Sequence, residues 1–250
     1  MAKRGPLHIG CSGWNYADWR GHFYPRELSP QEWFAFYTQF FDTVEINNTF
    51  YQLPPATTFQ AWHAQAPDGF LYAIKANRYL THLKKLHEPQ EPLRRLLDRV
   101  RLLGKHLGPI LYQLPPHWHL DRKRLEVFLA LLPPDLLHVF EFRDQSWMVE
   151  EVFLLLQEWG VSFCTHDLPG LAVPRRAVGP IAYVRLHGTA RPYQGRYSDA
   201  ALRQWWKWME EQIKSGKELY VYFNNDTAAQ AVFDALQLKR IAGLATRDRM

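Results

Sequence analysis

The sequence predicts an α/β protein of the TIM-like (β/α)8 barrel class, folded as a single domain. Eight short runs rich in apolar, β-branched or aromatic residues recur along the 250 residues, and stretches with helical spacing separate most of them. Eight alternations in a chain of this length are typical of that class. A doubly wound open sheet is the alternative, but no G-x-G-x-x-G or Walker pattern indicates a nucleotide-binding first turn.

The eight runs have the length and the side-chain content of buried strands. In order, the predicted strands cover residues 8–12, 43–47, 70–76, 109–114, 138–142, 161–166, 181–187 and 218–224.

Seven segments between these runs have the apolar spacing of amphipathic helices. They cover residues 29–41, 55–66, 92–104, 121–132, 149–160, 198–216 and 226–238, with Ser29 as a suitable N-cap and Gly104 at one helix end. Segment 167–180 contains three prolines and two glycines, so we expect a loop in place of the helix between the sixth and seventh strands. The domain is expected to span residues 1–250, with its core at about 8–238 and a basic tail at 239–250.

Composition limits the function classes without choosing among them. The chain has 30 Lys and Arg against 25 Asp and Glu, a formal charge of +5 that suits anionic ligands without requiring nucleic acid. Its two cysteines, Cys11 and Cys164, cannot form a disulfide framework. No apolar run near the start resembles a signal peptide or a membrane span, so a cytoplasmic protein is expected.

Polar or aromatic side chains follow the carboxyl ends of the predicted strands, where barrel enzymes carry their active sites. They are Ser12, Trp14, Glu45, Asn47, Asn48, Lys75, Asn77, Gln113, Glu141, Arg143, His166, Asp167, Arg185, His187, Asn224, Asn225 and Asp226.

Several of these side chains share one face of their strand, since strand residues two apart point the same way. The charges could neutralise one another as part of packing. Burying several ions costs roughly several kcal/mol each, and barrel interiors are mostly filled with Val, Ile and Leu. A ligand site is therefore the preferred interpretation. The pairs on one face are Glu45 with Asn47, Lys75 with Asn77, Glu141 with Arg143, and Arg185 with His187.

Three of the polar residues are predicted to be catalytic: Glu45 and Glu141 as acid or base, together with His187. Cations at the same strand ends would hold an anionic group, and aromatic rings in the following loops, such as Tyr51, can stack on a base or a sugar. The predicted substrate-binding residues are Ser12, Trp14, Asn47, Lys75, Asn77, Gln113, Arg143, Trp147, Arg185 and Asn224.

No cofactor is predicted. A divalent ion (Mn, Mg or Zn) is the less favoured alternative, because Arg143 and Arg185 share the predicted faces of two proposed ligands and would repel a cation. The residues of suitable ligand type are Glu45, Glu141, His166, Asp167 and His187.

Long motifs spread over residues 9–238 resemble the signature blocks of the domain-of-unknown-function 72 family, also called YecE-like. They include "IGCSGWNYADWRGHFYP", "FDTVEINNTFYQLP", "FLYAIKANRYLTH", "GPILYQLPP", "VFEFRDQSW", "YVRLHG" and "VYFNND". The resemblance implies a TIM-like barrel in a prokaryotic protein, and it supplies no reaction.

Three function classes remain open. The first is a hydrolase or lyase that acts on a phosphorylated or nucleic-acid-derived anionic substrate. The second is a glycoside-type hydrolase with Glu45 and Glu141 as its carboxylate pair. The third is a non-catalytic binder of nucleic acid or of an anionic metabolite. No membrane partner is expected, and the sequence does not define the oligomeric state.

Overall fold

The structure, a computed structural model, describes residues 5–245. The predicted fold class is confirmed: eight parallel strands with helices between them form a TIM-like (β/α)8 barrel fold. Every predicted strand is present to within two residues at either end. The strands are β1 (Leu7–Cys11), β2 (Thr43–Ile46), β3 (Leu71–Lys75), β4 (Leu107–Gln113), β5 (His138–Glu141), β6 (Ser162–His166), β7 (Ile181–Leu186) and β8 (Glu218–Phe223).

The sheet follows chain order, β1-β8-β7-β6-β5-β4-β3-β2, so consecutive strands are neighbours. Parallel pairing brings the carboxyl ends of adjacent strands together. The register sets Lys75 beside Leu111 and Gln113 beside Glu141. Polar residues that end neighbouring strands therefore lie at the same edge of the sheet.

The helices agree with the predicted segments in place, although several are shorter. They are α1 (Trp33–Tyr37), α2 (Asn48–Tyr51), α3 (Ala56–Gln65), α4 (Gln90–Val100), α5 (Arg122–Leu129), α6 (Glu150–Glu158), α7 (Asp199–Lys214) and α8 (Gln230–Ile241). Ser29 caps the 3-10 turn that leads into α1, since its backbone N–H and its hydroxyl both donate to the Glu32 carboxylate, at 2.9 and 2.6 Å.

The connection from β6 to β7 has no helix, as its prolines and glycines predicted. Side-chain contacts fix this loop instead. The Thr165 hydroxyl donates to the Arg176 carbonyl at 2.9 Å, and the Arg176 guanidinium forms an ion pair with Glu150. The loop is therefore ordered without regular structure.

The short elements that were not predicted include α2 and the π-helical turn Tyr79–Leu83. The predicted boundary between core and tail, at about residue 238, falls within the last helix. Helix α8 continues to Ile241, and the ammonium of Lys239 donates to the Phe40 carbonyl at 2.6 Å. The rest of the predicted tail, residues 246–250, lies outside the described part of the chain.

The chain divides into two compact units. The first contains the residues up to Glu45, His166–Gly170 and the residues from Val184 onward; the second contains Ile46–Thr165 and Leu171–Tyr183. Each has a fully buried apolar interior, which includes Val44 and Val221 in the first unit and Ile110 and Phe140 in the second. No helix in residues 5–245 is long and apolar enough to cross a membrane.

Candidate functional site

In the first unit, Glu45 on β2 and Arg185 on β7 form an ion pair from which solvent is fully excluded. Both Arg185 Nε and Nη2 donate to Glu45 Oε1, at 3.1 and 2.8 Å, and the Ser12 hydroxyl donates to the same oxygen at 2.7 Å. Charge-assisted hydrogen bonds of this kind hold the carboxylate in one orientation. Three predicted site residues are thus brought together by direct contacts.

Asp226, in the loop after β8, lies in the same cluster. The residue as a whole is partly exposed, but its Oδ1 is buried and has no hydrogen-bond partner within residues 5–245. Burial raises the pKa of this carboxyl group to about 7, although the Tyr16 hydrogen bond and the Arg185 charge act in the opposite direction. Asp226 therefore changes its charge near neutral pH.

Tyr16 lies in the same cluster. Its hydroxyl donates to the Ser12 carbonyl oxygen at 2.6 Å, and it is also one of the groups that act to lower the pKa of Asp226. A phenol has one proton to donate, and in this structure that proton goes to Ser12.

Asn224 links this carboxyl group to His187 and Arg185. The Asn224 amide is oriented so that its nitrogen faces an acceptor and its oxygen faces two donors. In this orientation Nδ2 donates to Asp226 Oδ2 at 3.2 Å, and the amide oxygen accepts from His187 Nδ1 at 3.2 Å and from Arg185 Nη2 at 3.3 Å. The network selects the His187 tautomer with its proton on Nδ1. Catalytic candidate His187 and binding candidate Asn224 are therefore in direct contact.

Asp167 supports His187 from the other side. One Asp167 oxygen accepts from the His187 backbone N–H at 2.7 Å, and the other accepts from the Tyr197 hydroxyl at 2.5 Å. Asp167 thus serves to position the start of the loop after β7. The His166 and His187 rings have centroids 5.8 Å apart, and imidazole nitrogens are of a type that binds divalent ions, which was the less favoured alternative in the sequence analysis.

In the second unit, Glu141 ends β5 and forms an ion pair with Arg143. Glu141 is fully buried and Arg143 is 9% exposed. The Cys164 thiol lies 3.8 Å from the other Glu141 oxygen. Two residues apart on an extended segment, Glu141 and Arg143 share one face as the period of a strand predicts.

Lys75 ends β3, and its ammonium lies 4.1 Å from the centroid of the Phe50 ring. His82 packs edge-on against the same ring, with centroids 4.8 Å apart. Burial lowers the pKa of His82 to about 4, and the charges of Lys75, Arg143 and Arg78 lower it further against the opposing effect of Glu141. A positive potential therefore surrounds the carboxyl ends of β3 and β5.

The remaining predicted binding residues have varied surroundings. Gln113 is 8% exposed at the end of β4, and Asn47 is half-buried before α2. Asn77 Oδ1 accepts from the Leu80 backbone N–H at 2.9 Å, so this residue caps the turn that follows. Trp14 is half-buried against Phe34, with ring centroids 5.2 Å apart.

Trp147 differs from these residues because it is fully buried. Its ring stacks on Phe142 with centroids 4.9 Å apart, and its indole N–H donates to the Trp118 carbonyl at 2.5 Å. In this structure a ligand cannot reach the ring, and we omit Trp147 from the proposed site.

The sequence interpretation did not select Asp226, Tyr16 or His82 as functional residues. Asp226 follows β8 among three polar residues, so its position was a signal, but its burial depends on packing that no local pattern reveals. Nothing in the spacing of Tyr16 indicates a bond to a residue 210 positions later.

Comparison with known proteins shows the family. The model of the family described as "Protein of unknown function DUF72" matches residues 8–249. The UPF0759 protein YunF of Bacillus subtilis (strain 168) is similar, with 25% identity over 280 residues that cover 96% of this chain and 98% of YunF.

Solved structures agree with this assignment. A DUF72 family protein from Thermotoga maritima MSB8 has a TM-score of 0.86 and 27% identity, over 95% of this chain and 99% of its own. A DUF72 family protein from Enterococcus faecalis V583 has the same fold, with a TM-score of 0.78 and 16% identity over 98% of this chain and 99% of its own. From the match over residues 8–249, together with these relatives, we conclude that the chain belongs to the DUF72 family.

Proposed function

We propose that this protein is an enzyme, of the hydrolase or lyase type, that acts on a phosphorylated or nucleic-acid-derived anionic substrate. The observation that supports this most directly is that two cations, Lys75 and Arg143, both act on His82, while Arg143 forms an ion pair with the buried carboxylate of Glu141. Both cations are 9% exposed and stand at strand ends, where barrel folds bind their ligands. An ammonium and a guanidinium are the side chains best suited to hold phosphate oxygens.

The electrostatics of the second unit favour an anion. Lys75, Arg143 and Arg78 all disfavour a proton on His82, and Glu141 is the acid that opposes them. Three cations with one carboxylate leave a positive site that attracts phosphate or carboxylate groups. His82 stays neutral at physiological pH and does not add to this charge.

Two carboxyl groups suit proton transfer in different ways. Arg143 stabilises the ionised form of Glu141, which favours a base or an orienting role for this residue. In the first unit, Asp226 has a pKa raised by burial to about 7 and can act as acid or base near neutral pH. Beside the proposed anion site of the second unit, we therefore assign acid–base chemistry to Glu141. Within the first unit, Asp226 is the group suited to proton transfer, and Glu45 has an orienting role for Arg185.

The glycoside-type alternative has less support. It requires Glu45 as a reacting carboxylate, and one oxygen of Glu45 already accepts hydrogen bonds from Ser12 and from two nitrogens of Arg185. An oxygen that already accepts three hydrogen bonds is poorly placed to attack a substrate as a nucleophile. This bonding pattern suits a fixed counter-charge for Arg185.

Calorimetric titration with inorganic phosphate at constant ionic strength tests the anion site. The Lys75→Gln variant should bind phosphate about 10- to 150-fold more weakly, because a charge-assisted hydrogen bond of about 1.5–3 kcal/mol is lost. Lys105→Gln is the matched control, since Lys105 is an exposed lysine of the same unit that pairs with Asp68. Equal phosphate affinity in the wild type and in both variants would remove the proposed site.

Melting of Glu141→Gln with and without phosphate separates a site from a structural ion pair. If Arg143 takes part in anion binding, loss of the competing carboxylate should increase the stabilisation by phosphate. Glu150→Gln is the control, because Glu150 forms a surface ion pair with Arg176. A loss of about 3–5 kcal/mol with an unchanged phosphate response would assign the pair to structure alone.

A further inference from the structure

A cleft of about 300 Å³ opens in the second unit beside the residues just described. Tyr51, Gln52, Asn77, Tyr79 and Arg95 are among the residues that line it. Its volume lies at the lower end of the range for small-molecule sites. Aromatic rings, side-chain amides and a guanidinium offer both flat surfaces and directional hydrogen bonds.

The two tyrosines are the most exposed of the large hydrophobic aromatic residues within residues 5–245. Tyr51 is 73% exposed and Tyr79 is 51% exposed, against 43% for Tyr193 and 42% for Trp159. No hydrogen bond joins either cleft hydroxyl to another residue of the described chain. Scattered exposed aromatics need no explanation, but two on the walls of one concave site indicate ligand contact.

Both rings are attached to backbone that is held in place. Tyr51 ends α2, and its ring packs edge-on against Phe50 with centroids 5.3 Å apart. Tyr79 begins the π-helical turn, and the bond from Leu80 N–H to Asn77 Oδ1 fixes the start of that turn. Short π-helical segments are frequent at functional sites.

The Phe50 ring lies between Tyr51 of the cleft and Lys75 of the proposed anion site. It packs edge-on against the Tyr51 ring, with centroids 5.3 Å apart, and its centroid lies 4.1 Å from the Lys75 ammonium. Asn77, which lines the cleft, follows Lys75 by two residues along the chain. A ligand with an anionic group at Lys75 would have to pass the Phe50 ring to place its remaining part beside Tyr51.

We propose that this cleft binds the base of a mononucleotide whose phosphate is held by Lys75 and Arg143. That Lys75 and Arg143 hold the phosphate rests on the proposed function, whereas binding of the base rests on the residues of the cleft alone. Flat bases stack on tyrosine rings and on arginine guanidinium planes, and the Gln52 and Asn77 amides can bond to the edge of a base.

A sugar phosphate without a base fits the cleft less well. Carbohydrate hydroxyls are commonly bound by carboxylates, and the acid that lines this cleft, Glu91, lies 3.7 Å from Arg95 Nε as part of an ion pair. The cleft thus offers aromatic rings for stacking and amide groups for hydrogen bonds, whereas its carboxylate is already engaged in an ion pair. This difference makes the base the group to test.

Four probes separate the two ends of the ligand: adenosine, AMP, ribose 5-phosphate and inorganic phosphate, each titrated calorimetrically at one ionic strength. AMP should bind the wild type about 5- to 150-fold more tightly than ribose 5-phosphate, the range expected for stacking of one base. Adenosine should bind measurably without any phosphate. Equal affinities for AMP and ribose 5-phosphate would overturn the base site.

Variants of Tyr51 locate the effect. Tyr51→Ala should abolish the preference for AMP over ribose 5-phosphate and leave inorganic phosphate unchanged, whereas Tyr51→Phe should keep the preference because it keeps the ring. Tyr193→Ala is the control at an exposed tyrosine of the first unit. An unchanged preference in Tyr51→Ala would overturn the assignment to this cleft.

The same titrations distinguish failure of the two proposals. Adenosine binding that depends on Tyr51, combined with phosphate binding that does not depend on Lys75, would support the base site and remove the anion site. Phosphate binding that depends on Lys75, combined with no binding of adenosine and no preference for AMP, would do the reverse.

Discussion

Asp226 has a carboxyl group whose protonation state is controlled by its immediate neighbours. Burial disfavours the charged form, and the buried Oδ1 finds no donor among residues 5–245. Tyr16 and the charge of Arg185 favour the ionised form and oppose this effect. With a pKa raised to about 7, both protonation states of Asp226 are populated near neutral pH, which is the condition under which a carboxyl group transfers protons well.

The Asp226 carboxyl should titrate with a midpoint near pH 7, where burial places its pKa. Carbon-13 NMR of the aspartate side chains, assigned with an Asp226→Asn variant, measures this directly. Tyr16→Phe should raise the midpoint further, because the Tyr16 hydrogen bond lowers this pKa. Asp135, whose pKa is lowered by its hydrogen bond with Arg101, should stay ionised throughout. A midpoint below pH 5 for Asp226 would contradict the expectation.

At the level of single residues, strand periodicity predicts which neighbouring side chains share a face of a strand, and it carries no information on the chemical role of each residue. Two-residue spacing correctly indicated that Glu141 and Arg143 share a face, since this is a local property of an extended chain. The Glu45–Arg185 contact joins residues 140 positions apart. A contact between residues so far apart in the chain depends on the fold and not on local spacing. The sequence therefore identified both residues as site candidates but could not predict the hydrogen bonds between them.

Among the elements, the loop between β6 and β7 shows how proline and glycine replace a helix. Gly179 has a φ of +80°, and a Cβ there would lie 2.3 Å from the Val161 carbonyl oxygen. The loop thus approaches the start of β6 more closely than any side chain at this position would allow. Gly170, earlier in the loop, has a φ of +87° but no atom within 4 Å of such a Cβ.

These two glycines form a matched pair for a stability test. Gly170→Ala should cost about 1–2 kcal/mol, the penalty of a left-handed conformation alone. Gly179→Ala should cost about 3 kcal/mol or more, since the backbone near β6 must also move. Urea unfolding at 25 °C measures both changes. Equal losses in the two variants would show that the close approach to Val161 does not limit this position.

The elements that the sequence did not predict are short. Helix α2 has four residues and the π-helical turn has five, too few for an amphipathic pattern to emerge. Tertiary contacts stabilise them: the Thr49 hydroxyl in α2 bonds to the Lys75 carbonyl at 2.7 Å. These two elements carry Tyr51 and Tyr79, so the cleft could not be predicted from the sequence. The sequence did indicate Tyr51 as an aromatic residue of a loop that follows a strand.

At the scale of the whole molecule, the (β/α)8 class was predictable because eight alternations of period 2 and period 3.6 leave few other topologies. The carboxyl ends and the amino ends of the strands carry different kinds of residue. In the first unit, Glu45, Arg185 and Asn224 lie toward the carboxyl ends, whereas His8, the second residue of β1, lies beside Glu218, which begins β8. Barrel folds commonly reserve the carboxyl ends for function and the amino ends for stability.

His8 therefore belongs to the structural end of the strands. Its Nε2 lies 2.9 Å from Glu218 Oε1, its Nδ1 lies 3.5 Å from Asp42 Oδ2, and its ring stacks on Tyr220. Burial alone would lower the pKa of His8, but the hydrogen bonds and charges of Asp42 and Glu218 outweigh it and raise the pKa to about 9. Folding thus increases the affinity of His8 for its proton.

The free energy of unfolding should consequently decrease as the pH rises. A histidine with a raised pKa stabilises the fold fully below its unfolded pKa of about 6.5, and this contribution is lost as the pH passes 9, with an upper limit of about 3 kcal/mol. Urea unfolding of the wild type and of His8→Gln across pH 6–10 tests this. The difference between the two proteins should be largest near pH 6 and should vanish near pH 10, while His119→Gln, at an exposed histidine, should follow the wild type.

Asp226 also titrates in the neutral range, but its contribution is common to both proteins and cancels in the difference. A difference between wild type and His8→Gln that does not change with pH would mean that His8 stabilises the strand ends by packing against Tyr220 and not by its charge.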